Sequence, residues 1–172
     1  RRNRGLPPIA LRQRLRRALT LQRLALIPMA PGDTHLGHSD GMVSFIEPGV
    51  LFMNEYPDNP GFAKTLRKEL QRALPGVQIQ TLPGSGYGEA YGDYASACGL
   101  YTNAAVTDNA VYLPVFDHSE DDAAIARLEK ATDKAIVPVF AGDVCELGGS
   151  VRCLTWQLRG ANARRLRDAA AK

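Results

Sequence analysis

The stretch Asp40–Thr81, "DGMVSFIEPGVLFMNEYPDNPGFAKTLRKELQRALPGVQIQT", carries the fold in its punctuation. Gly41 to Ile46 reads as a strand, Pro48-Gly49 as a turn, and Val50 to Asn54 as a second strand. Asn59-Pro60 then supplies a helix cap and a first helical residue. Phe62, Leu66 and Leu70 recur at four-residue spacing, which predicts a helix over Pro60–Leu74. Pro75-Gly76 ends it, and Val77 to Thr81 forms a third strand. The order is β-β-α-β.

The same order recurs downstream. Leu100 to Thr107 is expected as a strand, Asp108-Asn109 as a tight hairpin turn, and Ala110 to Phe116 as the partner strand. Ser119 is expected to cap a helix whose first turn holds Asp121 and Asp122 and whose buried face holds Ile125 and Leu128. Ala135 to Phe140 closes the second unit. Pro8–Leu19 reads as a helix and Leu21–Ile27 as a strand, the back half of a further unit. Val151–Trp156 reads as the first strand of another, and Ala161–Lys172 as a basic helical tail. Two whole units flanked by half units predict an α/β chain built by repetition, whose core is completed by neighbours. A piece of a larger protein, or a chain that self-associates to cover an open edge, is expected.

The 172 residues suit one domain, 1–172. An apolar content of 45% is that of a globular chain, and no apolar run is long enough for a membrane span. Cys98, Cys145 and Cys153 are too few and too scattered to read as a disulfide framework, so a reducing, cytoplasmic setting is expected. Charge is uneven. Up to Arg23 there are eight bases and no acid, whereas Asp33 to Glu146 holds 17 acids against seven bases. Arg12, Arg14, Arg16 and Arg17 interleave with Leu11, Leu15 and Leu19, as on the outer face of an amphipathic helix. A nucleic-acid partner is therefore not expected, and no membrane partner either. An acidic middle suits a small cationic ligand.

Chemistry concentrates at two places. His38 and Asp40 precede the first strand of the first unit, and Cys153 lies where a later unit would begin, after Gly148-Gly149. If equivalent strands face one cavity, a cysteine and a histidine distant in sequence meet there as nucleophile and base. His35 and His118 are equally available by composition. Gly84–Gly99, "GSGYGEAYGDYASACG", is too long for a plain connector and is expected either as a lid over the site or as a crossing between units.

Three segments occur in order: "GDTHLGHSDGMVSFI" (Gly32–Ile46), "YTNAAVTDNAVYLPVFD" (Tyr101–Asp117) and "LGGSVRCLTWQ" (Leu147–Gln157). Together they resemble the agmatine deiminase and bacterial-type peptidylarginine deiminase family of the guanidine-modifying superfamily, over about Arg1 to Arg159. That family carries a G-H-x-D motif and a final G-G-G-x-I-H-C-x-T-x-Q motif. The resemblance implies a pentein-like α/β propeller of ββαβ units, of which this chain resembles the C-terminal part. It implies Cys153 as nucleophile, His38 as general acid/base and Asp40 as guanidinium ligand. Arg152 stands where the family usually has His, beside the nucleophile and facing substrate, and Ser150 interrupts the glycine run. The implied reaction is hydrolysis of a guanidine, agmatine to N-carbamoylputrescine and ammonia on the way to putrescine, through a covalent thiouronium. It needs no metal or organic cofactor. The alternative is the same fold without activity, a truncated or divergent chain serving as a binding module.

Overall fold

The computed structural model describes residues 5, 7–33, 37–84, 86, 88, 91–92, 94–158 and 160–171. It is α/β, with two three-stranded mixed sheets. Helix α1 spans Pro8–Ala18, and a 3-10 turn at Ser39–Gly41 leads into the first sheet. That sheet is β1 (Val43–Glu47), β2 (Val50–Asn54) and, after helix α2 (Pro60–Ala73), β3 (Gln78–Leu82), in spatial order β1-β2-β3. The second is β4 (Ala105–Val106), β5 (Ala110–Val115) and, after helix α3 (Asp121–Glu129), β6 (Ala135–Phe140), in order β4-β5-β6. Both sheets pair an antiparallel hairpin with a parallel third strand reached through a helix. Short helix α4 (Gly142–Cys145) and terminal helix α5 (Gly160–Ala170) follow.

The central strand β2 explains the layering. Its side chains alternate, as a strand's must. Leu51 and Met53 join Leu66 and Leu70 of α2 in one core, while Phe52 on the other face joins Tyr101, Val111, Leu113 and Leu128 in a second. The second core therefore belongs to both sheets. Two ion pairs reinforce the same junction. Arg127 of α3 meets Glu55 at 2.5 Å and also donates to the Thr81 carbonyl, and Lys134 lies 3.6 Å from Glu47 of the first hairpin. The β1–β2 turn needs Gly49, whose φ of +84° is the left-handed region that glycine enters without a Cβ penalty. Asn59 caps α2 by accepting from Phe62 N–H at 3.1 Å, as expected.

Several expected elements take another form. Leu21–Ile27 is not a strand: the Arg16 guanidinium occupies the Leu21 and Gln22 carbonyls, and Ala25 and Ile27 pack on the α2 core without a ladder. The strand expected over Leu100–Thr107 shrinks to Ala105–Val106, because Leu100 N–H and Asn103 N–H close two consecutive turns onto Ala97 and Leu100. Val151–Trp156 is a turn followed by irregular chain, held by Leu154 N–H to Ser150 and Thr155 N–H to Arg152. Ser119 is not the cap of α3. Asp121 gathers that end instead, its carboxylate accepting from Tyr101 Oη (2.8 Å), Phe116 N–H (3.0 Å) and His118 N–H (3.1 Å).

The cysteine expectation is also corrected. Cys98 and Cys145 form a disulfide, with Cα atoms 4.8 Å apart and a sequence separation of 47. Spacing alone does not bring such a pair together; the second core does, since both cysteines are buried in it. Only part of the expected loop Gly84–Gly99 is described, Ser85, Tyr87, Glu89, Ala90 and Asp93 lying outside the described residues. Tyr91 and Tyr94 form an isolated bridge within it. No helix among the described residues is long and apolar enough to cross a membrane.

Asp121→Ala removes one acceptor shared by three donors. Urea unfolding is expected to show a loss of about 2–3 kcal/mol, against less than about 1 kcal/mol for Asp122→Ala, which loses only its place near the helix N-terminus. Equal losses would show that the shared acceptor does not stabilise this end of α3.

Candidate active site

Asp40 is placed by β2. Asn54, fully buried at the end of that strand, donates from Nδ2 to the Gly41 carbonyl at 2.7 Å. Its backbone N–H bonds Met42 O, so the 3-10 turn carrying Asp40 is pinned from below. Cys153 is placed by a different device. The turn 150–155 curls back on itself, and the backbone N–H groups of Arg152 and Cys153 point at Asn103 Oδ1, at 3.1 and 3.4 Å. Arg152 N–H also reaches the Asn103 carbonyl at 3.0 Å.

Asn103 completes the site from the second sheet. It is 2% exposed, and its Nδ2 donates both to Asp40 Oδ2 at 3.1 Å and to Cys153 Sγ at 3.3 Å. Cys153 Sγ lies 3.4 Å from Asp40 Oδ2. Thiol, carboxylate and amide therefore form a closed triangle from positions 40, 103 and 153. Among the described residues Cys153 is the one free cysteine, and it is exposed.

Beside this triangle opens a cleft of about 730 Å³. Strand β1 and the Pro48-Gly49 turn line one side; Thr102, Ala104 and the β4 hairpin line the other; Asp40, Arg152, Lys134 and Gln157 add the polar groups. Gln157 is fixed by Nε2 to the Val106 carbonyl at 2.6 Å. The first strands of the two sheets thus border one cleft.

Of the residues singled out from sequence, Asp40, Arg152 and Cys153 meet here. His38 is two residues from Asp40 and exposed, with its backbone N–H on the Asp33 carboxylate at 2.7 Å. Among the described residues its imidazole has no hydrogen bond, and the structure does not bring it to bonding distance of Cys153. His118 lies away from the triangle, 3.7 Å from Glu120. His35 falls outside the described residues. Asn103 was not singled out in the sequence. The signal for it was weak: a polar residue within a segment of small and apolar residues, just before a strand.

Comparison with known proteins shows the family. The chain belongs to the Porphyromonas-type peptidyl-arginine deiminase family, whose model matches residues 1–158. It is similar to a candidate agmatine deiminase of Vibrio parahaemolyticus, 26% identical over an alignment of 184 positions with gaps, covering 91% of this chain and 51% of the relative. Another candidate agmatine deiminase, from Shewanella baltica strain OS195, is 24% identical over 148 residues, 71% of this chain and 40% of its own length. The chain thus spans about half, or less, of the curated relatives it matches.

Solved structures share the fold. A candidate arginine deiminase from Porphyromonas gingivalis superposes with a TM-score of 0.74 at 22% identity, over 91% of this chain and 49% of that one. The agmatine deiminase of Enterococcus faecalis gives 0.74 at 21%, over 90% and 49%. The agmatine deiminase of C. jejuni gives 0.73 at 21%, over 88% and 47%.

Asn103→Asp keeps the side-chain shape but replaces the Nδ2 donor with an anionic oxygen facing both Asp40 and the sulfur. Iodoacetamide alkylation of Cys153 at neutral pH is expected to slow on the order of tenfold. Peptide mass mapping against time gives the rate, and an unchanged rate would remove the amide from the control of the sulfur.

Proposed function

We propose that this chain carries the nucleophile-bearing part of a deiminase that hydrolyses a guanidine, with agmatine as the substrate. Membership of the deiminase family supports the reaction class. The names of the relatives and of the solved structures support agmatine. The observation that carries the reading is the 3.4 Å approach of Cys153 Sγ to Asp40 Oδ2, bridged by Asn103. In the wider architecture the two sheets are neighbouring blades of a partial propeller. The open cleft is completed by a further segment or by a second copy of the chain.

The chemistry follows from charge. A guanidinium is planar and cationic, and Asp40 holds its plane by paired, charge-assisted hydrogen bonds. In the absence of such a cation the carboxylate accepts from the Cys153 thiol. A guanidinium seated on Asp40 takes over those lone pairs and brings positive charge beside the sulfur, which favours the thiolate. The thiolate attacks the central carbon. His38, turned inward, protonates the departing amine, ammonia leaves, and a thiouronium remains on Cys153. His38 then takes a proton from water, which attacks the same carbon; the C–S bond breaks and the sulfur departs as thiolate. The products are N-carbamoylputrescine and ammonia. Arg152 adds a second positive charge next to the nucleophile and borders the substrate's path.

A second reading, the same fold as a binding module without turnover, draws on the His38 imidazole, which no hydrogen bond holds among the described residues. One experiment separates the two. A chloroacetamidine presents a cationic amidinium to Cys153, and chloroacetamide is its neutral counterpart. The proposed function expects labelling of Cys153 to favour the cationic reagent on the order of tenfold or more, and Asp40→Asn to abolish the preference. Ammonia release from agmatine, arginine and an arginine peptide then ranks substrates. Labelling indifferent to charge would remove Asp40 as the guanidinium ligand, and selective labelling without ammonia release would favour the binding module.

A further inference from the structure

The Cys98–Cys145 disulfide is linked to Cys153 by a short, tightly folded stretch of chain. Cys145 ends α4, and eight residues later comes Cys153. The chain between them is tightly folded. Leu147 N–H bonds Val144 O, Gly148 N–H bonds Cys145 O at 3.1 Å, and Leu154 N–H bonds Ser150 O. Gly148 has φ +84°, and a Cβ there would come within 3.0 Å of the Tyr94 Cβ and 3.3 Å of the Ala95 carbonyl oxygen. The Tyr94–Ala95 segment therefore lies directly on the Gly148 backbone. A Cβ at Gly149 would in turn sit 3.3 Å from the Cys153 Cβ and 3.7 Å from its sulfur. Ala97 N–H donates to the Cys145 carbonyl at 2.8 Å, beside the disulfide itself.

We propose that this disulfide is a redox latch on the Cys153 turn. When closed, it clamps the Tyr94–Cys98 segment against Cys145–Gly149 and so fixes the turn from its N-terminal side. Asn103 fixes the same turn from the other side through Arg152 and Cys153 N–H. When the latch opens, the Asn103 bonds remain, but the backing at Gly148-Gly149 depends on one hydrogen bond and van der Waals contact. The turn then fluctuates more widely about its Asn103 anchor, and the reactivity of Cys153 changes without any change at Asp40. A dithiol opens the latch: its first thiolate attacks one cystine sulfur, and its second displaces the other half of the mixed disulfide. Two cysteine thiols and one oxidised dithiol result, with electrons balanced. Both sulfurs are buried, so exchange follows local opening of the 94–98 segment. A reducing setting holds the latch open, and an oxidant of the disulfide class closes it.

The proposal does not depend on the substrate. Its test uses the unaltered chain with and without dithiothreitol, followed by hydrogen exchange and by iodoacetamide mapping of each cysteine. Without reductant only Cys153 is expected to label. With reductant, Cys98 and Cys145 label too, amide exchange over 94–98 and 145–153 rises on the order of tenfold, and exchange in β2 and β5 stays as it was. The Cys153 alkylation rate shifts at the same dithiol concentration. A Cys98→Ser/Cys145→Ser chain is expected to reproduce the reduced pattern with no dithiol. Three results would overturn the latch: Cys98 and Cys145 labelling in the oxidised chain, exchange over 145–153 indifferent to reduction, or loss of β2 and β5 protection together with the turn. The last would make the disulfide a staple of the whole core. A deiminase reading that fails on substrates leaves these readouts untouched, so the two ideas fail separately.

Discussion

The Asn103 side chain is the interaction on which the candidate site depends. One primary amide offers two N–H donors and a carbonyl with two lone pairs. Here both functions are engaged: the donor nitrogen faces Asp40 and Cys153, and the carbonyl takes the backbone N–H groups of Arg152 and Cys153. The amide is almost fully buried, so these bonds form where water does not compete, and leaving any of them unmade costs more than at a surface. Three stretches separated by tens of residues are held in one register by a single planar group. A shorter side chain reaches fewer of them, and a charged one of the same shape repels the carboxylate it now draws in.

That amide is useful only because its neighbours are placed independently of it. Asp40 is positioned by Asn54, which caps the buried strand β2 and takes the Gly41 carbonyl. Asn103 is positioned by the turns that shorten β4 and by Tyr101, whose ring is fully buried and whose hydroxyl donates to Asp121. Cys153 is positioned by its own turn. The shared core joins the first two, since Phe52 of one sheet and Val111 and Leu113 of the other pack in the same cluster. The alternation of β2, with Leu51 and Met53 toward α2 and Phe52 toward the second sheet, makes one five-residue strand serve both layers. Site geometry is therefore a consequence of core packing, with polar contacts setting only the last ångströms.

This division explains what could be seen in advance. Strands β2 and β6, the β5 hairpin and helix α2 were legible because their signals are local: alternation, a two-residue turn, an Asn-Pro start and a four-residue repeat. Val151–Trp156 misled for the same reason. Its alternation of apolar and polar residues is that of a strand, but a strand needs a partner, and this segment spends its backbone donors on Asn103 and on itself. Leu21–Ile27 fails likewise, with its carbonyls taken by Arg16. Asp40 and Cys153 stand out in motifs that resemble a known family, and the structure brings the two side chains together. Asn103 was not, because an asparagine acquires its role only from what the fold brings within 3.5 Å of it. The cystine was invisible for a related reason: its halves stand at a sequence separation of 47, and no spacing rule connects them.

The cleft itself follows from which strands are left at the edges. In both sheets the first strand is outermost, β1 in one and β4 in the other, and both border the cleft. An outer strand presents unpaired backbone groups along one side, which invites pairing with another chain. Each is blunted here in a recognisable way. β4 is two residues long, so it offers almost no ladder. β1 ends at Glu47 and is followed by Pro48, and Glu47 is drawn to Lys134 and Thr132 of the α3–β6 connection across the junction. These devices discourage indiscriminate strand addition while leaving the floor of the cleft open and polar. At β4 the Val106 carbonyl is already taken by Gln157, so the side of the cleft left for an approach to Asp40 is that of β1. The same features that guard the edges against aggregation thus leave the cleft beside Cys153 open.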